Sequence, residues 1–222
     1  MKKALLIVMT AFTLSGCMNS NEESSDEQVQ QKSQSGNVHA ESNDKKETYS
    51  NNPQAPDTRS LKEVGEEFRD EDGKVILKAI SDYHETHMIG PIELTISNVK
   101  VMDYIPAYHL IDFFHGYTHN ETNFTYVKFH VTLNNTSEES VNFAPISVLE
   151  TNEGEIKDFE DDFYLQNLNG TLSANERKSG ELAFILDKTA PDKLTEITVT
   201  TSDVFDKNNE SIQKGSKIEI AF

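Results

Sequence analysis

Two closely spaced histidine pairs are the first residues in this chain that could do chemistry. His84 and His87 lie three residues apart with Glu85 between them, and His115 and His119 lie four apart. A zinc site needs roughly three or four converging ligands, and nothing in the sequence shows that the two pairs meet. The first pair also lacks the four-residue helical spacing of metalloproteases. A metal-binding or metal-dependent envelope protein is therefore an alternative hypothesis, beside surface histidines that titrate near neutral pH.

Two acidic stretches could offer oxygen ligands to a divalent cation. They are 158–162, with the sequence Asp-Phe-Glu-Asp-Asp, and 206–210, with the sequence Asp-Lys-Asn-Asn-Glu. Ca²⁺ takes roughly six to eight oxygens from a curled loop, and neither stretch has the full loop pattern with its central glycine. A weak cation site is one interpretation, and a solvated acidic loop followed by a hairpin turn is the other.

The stretch 104–122 combines many aromatic residues with histidines. Loops seldom carry so many aromatic side chains without burying them or presenting them to a partner. One interpretation is a recognition loop for a peptide or a glycan strand, and the other is a lid folded onto the core or an additional piece of strand. The candidate ligand-contacting residues are Tyr104, Tyr108, His109, Phe113, Phe114 and Tyr117.

Patterns typical of catalysis do not emerge from the sequence. There is no Gly-x-Ser-x-Gly elbow and no phosphate-cradling glycine loop, and we expect no Ser-x-x-Lys nucleophile–base pair in the mature domain. The single cysteine, Cys17, excludes an intramolecular disulfide, so stability must come from the core. We expect a protein that is not an enzyme and that needs no cofactor.

The net charge is strongly negative, at −18. Such a surface repels phosphate backbones, so we expect no nucleic-acid partner. It could attract metal cations, cationic peptides or basic protein faces, or it could serve solubility alone.

The N-terminus resembles a bacterial lipoprotein signal peptide. Lys2 and Lys3 precede an apolar run at 4–14, which is too short to span a membrane, and 14–17 reads Leu-Ser-Gly-Cys. The resemblance implies cleavage between Gly16 and Cys17 and attachment of acyl chains such as palmitate to Cys17. Two acyl chains suffice for stable anchoring, so we expect a protein held on the outer face of the cell membrane.

A change in composition divides the remaining chain. Residues 17–60 are polar with almost no large apolar side chain, which predicts a disordered linker after the lipidated residue. Residues 61–222 form the predicted folded domain. Its first stretch, 61–68, is typical of a turn or a short helix, and 70–73, 134–137 and 153–154 are turn signals.

Strands must position all the candidate residues of the domain. Alternating apolar residues predict seven to nine short strands, which favours an all-β antiparallel sandwich or barrel. A shift in the apolar alternation predicts a bulge near Ser97 and Asn98, and Pro145 places its strand at an edge or a bulge. The predicted strands are 74–80, 92–101, 123–133, 141–149, 163–165, 179–186, 194–201 and 217–222.

Four stretches of the domain carry a resemblance. They are 90–96 (Gly-Pro-Ile-Glu-Leu-Thr-Ile), 126–135 (Tyr-Val-Lys-Phe-His-Val-Thr-Leu-Asn-Asn), 152–154 (Asn-Glu-Gly) and 175–184 (Asn-Glu-Arg-Lys-Ser-Gly-Glu-Leu-Ala-Phe). Their order resembles Gram-positive lipoprotein domains of the immunoprotective-extracellular-protein type, over 89–222. The resemblance implies an immunoglobulin-like antiparallel β-sandwich without enzymatic activity, and it assigns no functional residues. The chain departs from that pattern in 61–88 and 104–122.

The function that we expect from the sequence is a non-enzymatic binding or interaction module, anchored to the membrane through its lipid. Its partner would be an envelope protein, a peptide or a glycan. An accessory subunit that recognises another envelope protein is a related hypothesis.

Overall fold

A computed structural model describes residue 52 and residues 54–222 of the chain. This part is mostly β, with antiparallel sheets and one short helix, α1 (Ile111–Phe114). The predicted signal peptide, Cys17 and most of the predicted linker lie outside the described residues. The strands are β1 (Glu67–Asp70), β2 (Gly73–Ile80), β3 (Glu85–Ile89), β4 (Ile92–Pro106), β5 (Phe124–Asn135), β6 (Val141–Phe143), β7 (Val148–Thr151), β8 (Ile156–Asp158), β9 (Gly170–Leu172), β10 (Arg177–Leu186), β11 (Glu196–Thr200), β12 (Val204–Phe205), β13 (Ser211–Gln213) and β14 (Lys217–Ala221).

The first sheet has the strand order β1-β2-β4-β5-β10, and β3 also pairs with β4. The long strand β4 has two partners on this side: β3 pairs with its first half, Ile92–Ile96, and β2 pairs with its second half, Lys100–Pro106. Strand β5 pairs with β4 along its other edge. Strand β4 is therefore hydrogen-bonded to neighbouring strands along its length, which keeps its two ends far apart.

A bulge lies in the middle of β4, as the shift in apolar alternation predicts. Ser97 pairs with His130, but Lys100 pairs with Lys128, so β4 carries one more residue than β5 between these pairs. Asn98 adopts a φ of 49° at this point. Because of the extra residue, Val99 and Val101 keep facing the same core as Ile96, and Lys100 faces the opposite side.

Two smaller sheets complete the fold, with the strand orders β14-β11-β7-β8 and β13-β12-β6-β9. The predicted strand 141–149 is split at Pro145 into β6 and β7, which belong to different sheets. The chain changes sheets again between β11 and β12. The two changes lie side by side, because Ser202 N donates to Ala144 O and Ala144 N donates to Ser202 Oγ.

Two hydrophobic clusters lie on the two faces of the first sheet. The larger cluster includes Val127, Phe129 and Phe184 of the first sheet and apolar side chains from both smaller sheets. The smaller cluster covers the opposite face, where Met102, Tyr104 and Tyr126 contact segments outside the sheets. The first sheet is thus buried on both faces, and the alternation predicted for β5 is confirmed.

One predicted element is wrong. Residues 163–165 form no strand; an isolated bridge joins Asp162 and Phe184 nearby, and Leu165 has a φ of 56°. Residues 61–68 contain a turn that leads into β1, so the turn alternative predicted for this stretch is confirmed and no helix forms there. Among the described helices, none combines the length and the apolar character that crossing a membrane requires.

Candidate binding surface

The first residues of the insertion, 104–106, continue strand β4, and 107–122 fold back onto the face of the first sheet that carries the smaller cluster, where Phe114 anchors them. The ring of Phe114 contacts Tyr104, Phe124 and Phe163, with centroid distances of 5.6, 4.8 and 5.4 Å. Edge-to-face packing of this kind adds stability beyond the buried area. The insertion is therefore fixed by an aromatic core rather than held loosely above the sheet.

The six predicted ligand-contacting residues separate by exposure. Tyr104 and Phe114 are fully buried, and Phe113 and Tyr117 are half-buried against the smaller cluster. Tyr108 is 90% exposed, and its neighbour His109 is exposed, with Nε2 lying 3.6 Å from Asp72 Oδ1. Of these six residues, Tyr108 and His109 are the ones exposed to solvent.

A row of buried charged residues crosses the same face of the sheet beside the aromatic core. Lys100 of β4 and Lys128 of β5 are each 2% exposed, and Glu181 of β10 is buried beside them. Lys128 Nζ donates to Glu181 Oε1. Burial, and then the charge of Lys128, lowers the pKa of Lys100 to about 8. Charged groups are rarely buried without partners, so something must satisfy Lys100.

The partner of Lys100 is the chain segment 54–61, which we call the strap. Lys100 Nζ donates to Thr58 O at 2.9 Å and to Leu61 O at 2.6 Å. Tyr104 Oη donates to Gln54 O at 3.0 Å. Ala55 and Leu61 are buried in the smaller cluster. The last residues of the predicted disordered linker, 54–60, are thus packed against the sheet by side chains of β4.

A cavity of about 80 Å³ lies between the strap, the turn joining β1 to β2, and the residues Tyr164 and Glu181. The turn contributes Asp70, Glu71 and Asp72, of which Asp70 and Glu71 are exposed. The strap contributes Asp57 and Arg59, whose side chains are hydrogen-bonded to each other. The cavity wall is therefore polar, with more acidic than basic groups.

Electrostatic crowding is visible at Asp72. Burial, followed by the negative charges of Asp70 and Glu71, raises the pKa of its carboxyl group, against the opposite effect of His109. Asp72 also links the cavity to the insertion, because its backbone oxygen accepts from Ala107 N at 2.9 Å and lies 2.7 Å from Tyr104 Oη, whose one hydrogen is shared between Asp72 O and Gln54 O. The acidic cavity and the exposed tip of the insertion are thus neighbours on one surface.

The family of the chain follows from comparing its sequence with known protein families. A family model described as "Domain of unknown function (DUF4352)" matches residues 81–211. The chain belongs to the DUF4352 family. An uncharacterized protein of Bacillus subtilis (strain 168), YdhF, is 38% identical over 237 residues, and the match covers 100% of both chains.

Two solved structures are similar to this chain. A functionally unknown protein from Listeria monocytogenes EGD-e has a TM-score of 0.48 and 15% identity, with 68% of this chain and 87% of that chain covered. The yjhA protein from Bacillus subtilis has a TM-score of 0.32 and 18% identity, with 53% of this chain and 77% of that chain covered.

The DUF4352 match includes the insertion but not the strap or the turn between β1 and β2. Most of the cavity wall therefore comes from residues that precede the DUF4352 segment, and Tyr164 and Glu181 come from within it.

The structure does not bring the two predicted histidine pairs together. His87 lies on β3, and its Nε2 is 2.6 Å from Tyr83 Oη. His115 lies just after α1, and its Nδ1 is 2.6 Å from Glu121 Oε1. The part of β4 that separates them, from Ile96 to Pro106, spans about 30 Å at roughly 3.3 Å per residue. Within the described ranges, no group of three or more His, Cys, Asp or Glu residues could hold a metal ion.

The carboxylates of the acidic stretch 158–162 accept hydrogen bonds from backbone N–H groups in two places. Asp158 and Asp161 form a capping box around the 3₁₀ turn Phe159–Asp161. Asp162 is buried, and its Oδ1 accepts from Tyr164 N and Ala183 N.

The second acidic stretch, 206–210, is the turn of the β12–β13 hairpin. Asp206 Oδ1 accepts there from Asn208 N and Glu210 N, both at 2.8 Å. This agrees with the predicted hairpin turn. The carboxylate of Asp206 therefore stabilises the hairpin turn.

The expectation that the domain has no Ser-x-x-Lys motif is wrong, because Ser97 and Lys100 have the spacing of this nucleophile–base pair. The bulge lies between the two residues, and the Lys100 ammonium group donates to the strap carbonyls instead. Lys100 therefore anchors the strap.

Proposed function

We propose that this protein is a lipoprotein anchored on the outer face of the cell membrane, and that its folded part is a non-enzymatic interaction module. The partner that we propose is a protein or a peptide of the cell envelope. The observation that carries this proposal is the exposure of Tyr108, at 90%, on an insertion whose Phe114 is fully buried.

The rigid support of the insertion favours a role in recognition. Tyrosine offers a large contact area with few rotatable bonds, and it is enriched where proteins bind each other. A loop that is already fixed loses little conformational entropy on binding, which favours affinity. The aromatic contacts of Phe114 with Tyr104 and Phe163 supply that fixation.

For the fold, we propose an immunoglobulin-like β-sandwich of the immunoprotective-extracellular-protein type. Support comes from antiparallel pairing throughout the three sheets and from one apolar cluster that contains residues of all three. In such a sandwich, loops at one end are the usual binding elements.

Support for the membrane anchor comes from the sequence, where two lysines, a short apolar run and Leu-Ser-Gly-Cys stand in that order at 2–17. Expression in Bacillus subtilis with a clickable fatty acid should label the protein. The variant Cys17→Ser should remain unlabelled and leave the membrane fraction. Equal labelling and equal fractionation of the variant would contradict the anchor.

Crosslinking on intact cells tests the interaction surface. A photo-reactive phenylalanine analogue at position 108 should yield a discrete crosslinked product. Position 212 on β13 is the matched control, because Ile212 is also a large exposed side chain and lies in a different sheet. Deleting the insertion would be uninformative, since Phe114 belongs to the core. The same product pattern at both positions, or no product at 108, would refute the assignment.

A further inference from the structure

The strap is attached to the first sheet through side chains. In the described part of the chain it belongs to no strand ladder. Lys100 Nζ donates to two of its carbonyl oxygens, and its residues Ala55 and Leu61 are buried in the smaller cluster. A segment held in this way opens more easily than a strand in a ladder, because fewer hydrogen bonds must break together.

Docking of the strap leaves polar atoms without partners. In the described part of the chain, five buried side-chain nitrogen and oxygen atoms have no hydrogen-bond partner, and three of them are Asn52 Nδ2, Gln54 Oε1 and Thr58 Oγ1. Water would satisfy these three atoms if the strap detached, so their burial makes docking less favourable. The ammonium form of Lys100 is also disfavoured under the strap, because burial lowers its pKa to about 8. The docked strap is therefore less stable than its apolar contacts alone would make it.

A hydrogen-bond network joins the strap to Tyr108. Tyr104 Oη lies 3.0 Å from Gln54 O in the strap and 2.7 Å from Asp72 O in the turn between β1 and β2. Asp72 O also accepts from Ala107 N at 2.9 Å, and Ala107 directly precedes Tyr108. The strap and the turn also line the same cavity of about 80 Å³. The turn therefore contacts both the strap and the segment that presents Tyr108.

We propose that the strap is a regulatory latch for the tip of the insertion, residues 107–109. While the strap is docked, it supports the turn between β1 and β2, and the turn fixes the tip. When the strap detaches, the turn loses that support and the tip becomes mobile. Binding through Tyr108 then costs more conformational entropy and is weaker. The proposal rests on the proposed function, because the latch regulates the same surface.

The coupling between strap and tip acts in both directions. Because strap docking and partner binding each favour the fixed tip, a bound partner must also favour the docked strap. The strap contains the last residues of the predicted linker, 17–60. The free part of that linker is therefore shorter with a partner bound than without one.

Amide hydrogen exchange, measured by NMR on full-length, ¹⁵N-labelled protein in detergent micelles, tests the latch. Leu61 N, which donates to Thr58 O, reports on the strap, and Ala107 N reports on the tip. Phe129 N reports on the sheet, because β5 lies between β4 and β10. In the wild type, the protection of Leu61 should be at least about tenfold below that of Phe129, because the strap detaches while the sheet stays folded.

The variant Lys100→Met separates coupling from direct contact, because the hydrogen bonds of Lys100 Nζ go to the strap. The protection of Leu61 should fall by about tenfold or more, the usual effect of losing hydrogen bonds from a charged donor. The protection of Ala107 should fall by at least about fivefold, which is the lower end of typical coupling between sites. The yield of the crosslink from position 108 should fall as well.

Two further variants keep the aromatic rings in place. Tyr104→Phe removes the hydroxyl that lies between strap and turn, so it should lower the protection of Leu61 and Ala107. Tyr126→Phe is the matched control, because Tyr126 lies in the same cluster and its Oη is 3.4 Å from Tyr164 Oη. It should leave the protection of both amides unchanged.

Three results would overturn the latch. Equal protection of Leu61 and Phe129 in the wild type would mean that the strap opens only with the sheet. Loss of protection at Leu61 but not at Ala107 in Lys100→Met would mean that the strap detaches without loosening the tip. Unchanged protection of both amides in Lys100→Met and Tyr104→Phe would mean that these side chains do not hold the strap.

The crosslink from position 108 in the wild type tests the proposed function separately. If that crosslink is absent while the amides respond as expected, the coupling of strap and tip stands and the recognition surface is refuted. If the crosslink forms while neither amide responds to Lys100→Met, the recognition surface stands without the latch.

Discussion

At the scale of single residues, Asp162 shows how burial and hydrogen bonding compete. Burial raises the pKa of this carboxyl group to about 6, against the lowering effect of the backbone N–H groups of Ala183, Tyr164 and Leu165. Because the folded-state pKa lies above the ordinary value of 3.8, protonation favours the folded state. The resulting stability is complete below pH 3.8 and is lost as the pH rises through about 6.

The variant Asp162→Asn should remove most of this pH dependence, because its Oδ1 can still accept from Tyr164 N and Ala183 N. Between pH 4 and pH 7, the wild type should lose up to about 3 kcal/mol relative to the variant. Urea unfolding at a series of pH values measures the difference, and Glu160→Gln, on an exposed neighbour, is the control. Parallel curves for wild type and Asp162→Asn would show that Asp162 does not titrate in this range.

At the scale of elements, the pairing of β5 with β10 includes the buried ion pair Lys128–Glu181. Removing one partner leaves a buried charge, which typically costs about 3–5 kcal/mol, whereas replacing both by apolar residues is often nearly neutral. Lys128→Met should therefore destabilise strongly, and the double variant with Glu181→Met should recover at least about 2 kcal/mol of that loss.

Urea unfolding of the four proteins in this double-mutant cycle gives the coupling free energy. A matched cycle on Lys74 and Glu67 is the comparison. Their atoms Nζ and Oε2 are 2.5 Å apart in the β1–β2 hairpin, where Glu67 is mostly exposed. That pair should couple by less than about 1 kcal/mol. Equal coupling in both cycles would mean that burial of Lys128 carries no special cost.

The same elements show what the sequence could predict. The apolar residues of β4 change from even positions, ending at Ile96, to odd positions, beginning at Val99. This change located the bulge, because side chains on one buried face of a regular strand are two residues apart. Pro145 located the break between β6 and β7 because proline cannot donate to a ladder. The short strands β1, β3 and β13 were missed because they are largely exposed and lack apolar alternation. Their pairing depends on neighbouring strands.

The candidate site was harder to predict, for a physical reason. The strap is polar in composition and resembles a disordered linker, yet Lys100 and Tyr104 hold it through its carbonyl oxygens. Backbone oxygens carry no sequence signal. The available signal was in β4, where residues on both faces of 99–104 are mostly large and where Lys100 stands among them. A lysine inside such a run indicates a covering segment that supplies acceptors.

At the scale of the whole molecule, we expect the two hydrophobic clusters to unfold locally as separate units. We call the smaller cluster and the segments that pack in it the outer layer. The smaller cluster joins the strap, the insertion and residues Phe163 and Tyr164, which contact one another beside the sheet rather than through strand ladders. Segments held mainly by side chains open more easily than those held by ladders. We therefore expect the outer layer to unfold locally at a lower free-energy cost than the larger cluster.

Phe114→Ala tests this coupling, because Phe114 is fully buried where the outer layer meets the sheet. The variant should lose about 3–5 kcal/mol of packing in the outer layer. Hydrogen exchange should then increase in 54–61, 107–122 and 163–165, with little change in β11 and β14. The control Ile197→Val, in the larger cluster, should raise exchange in β11 and its neighbours instead. If Phe114→Ala raised exchange equally in all sheets, the two layers would unfold as one unit, and the strap would then be as stable as the sheet that it covers.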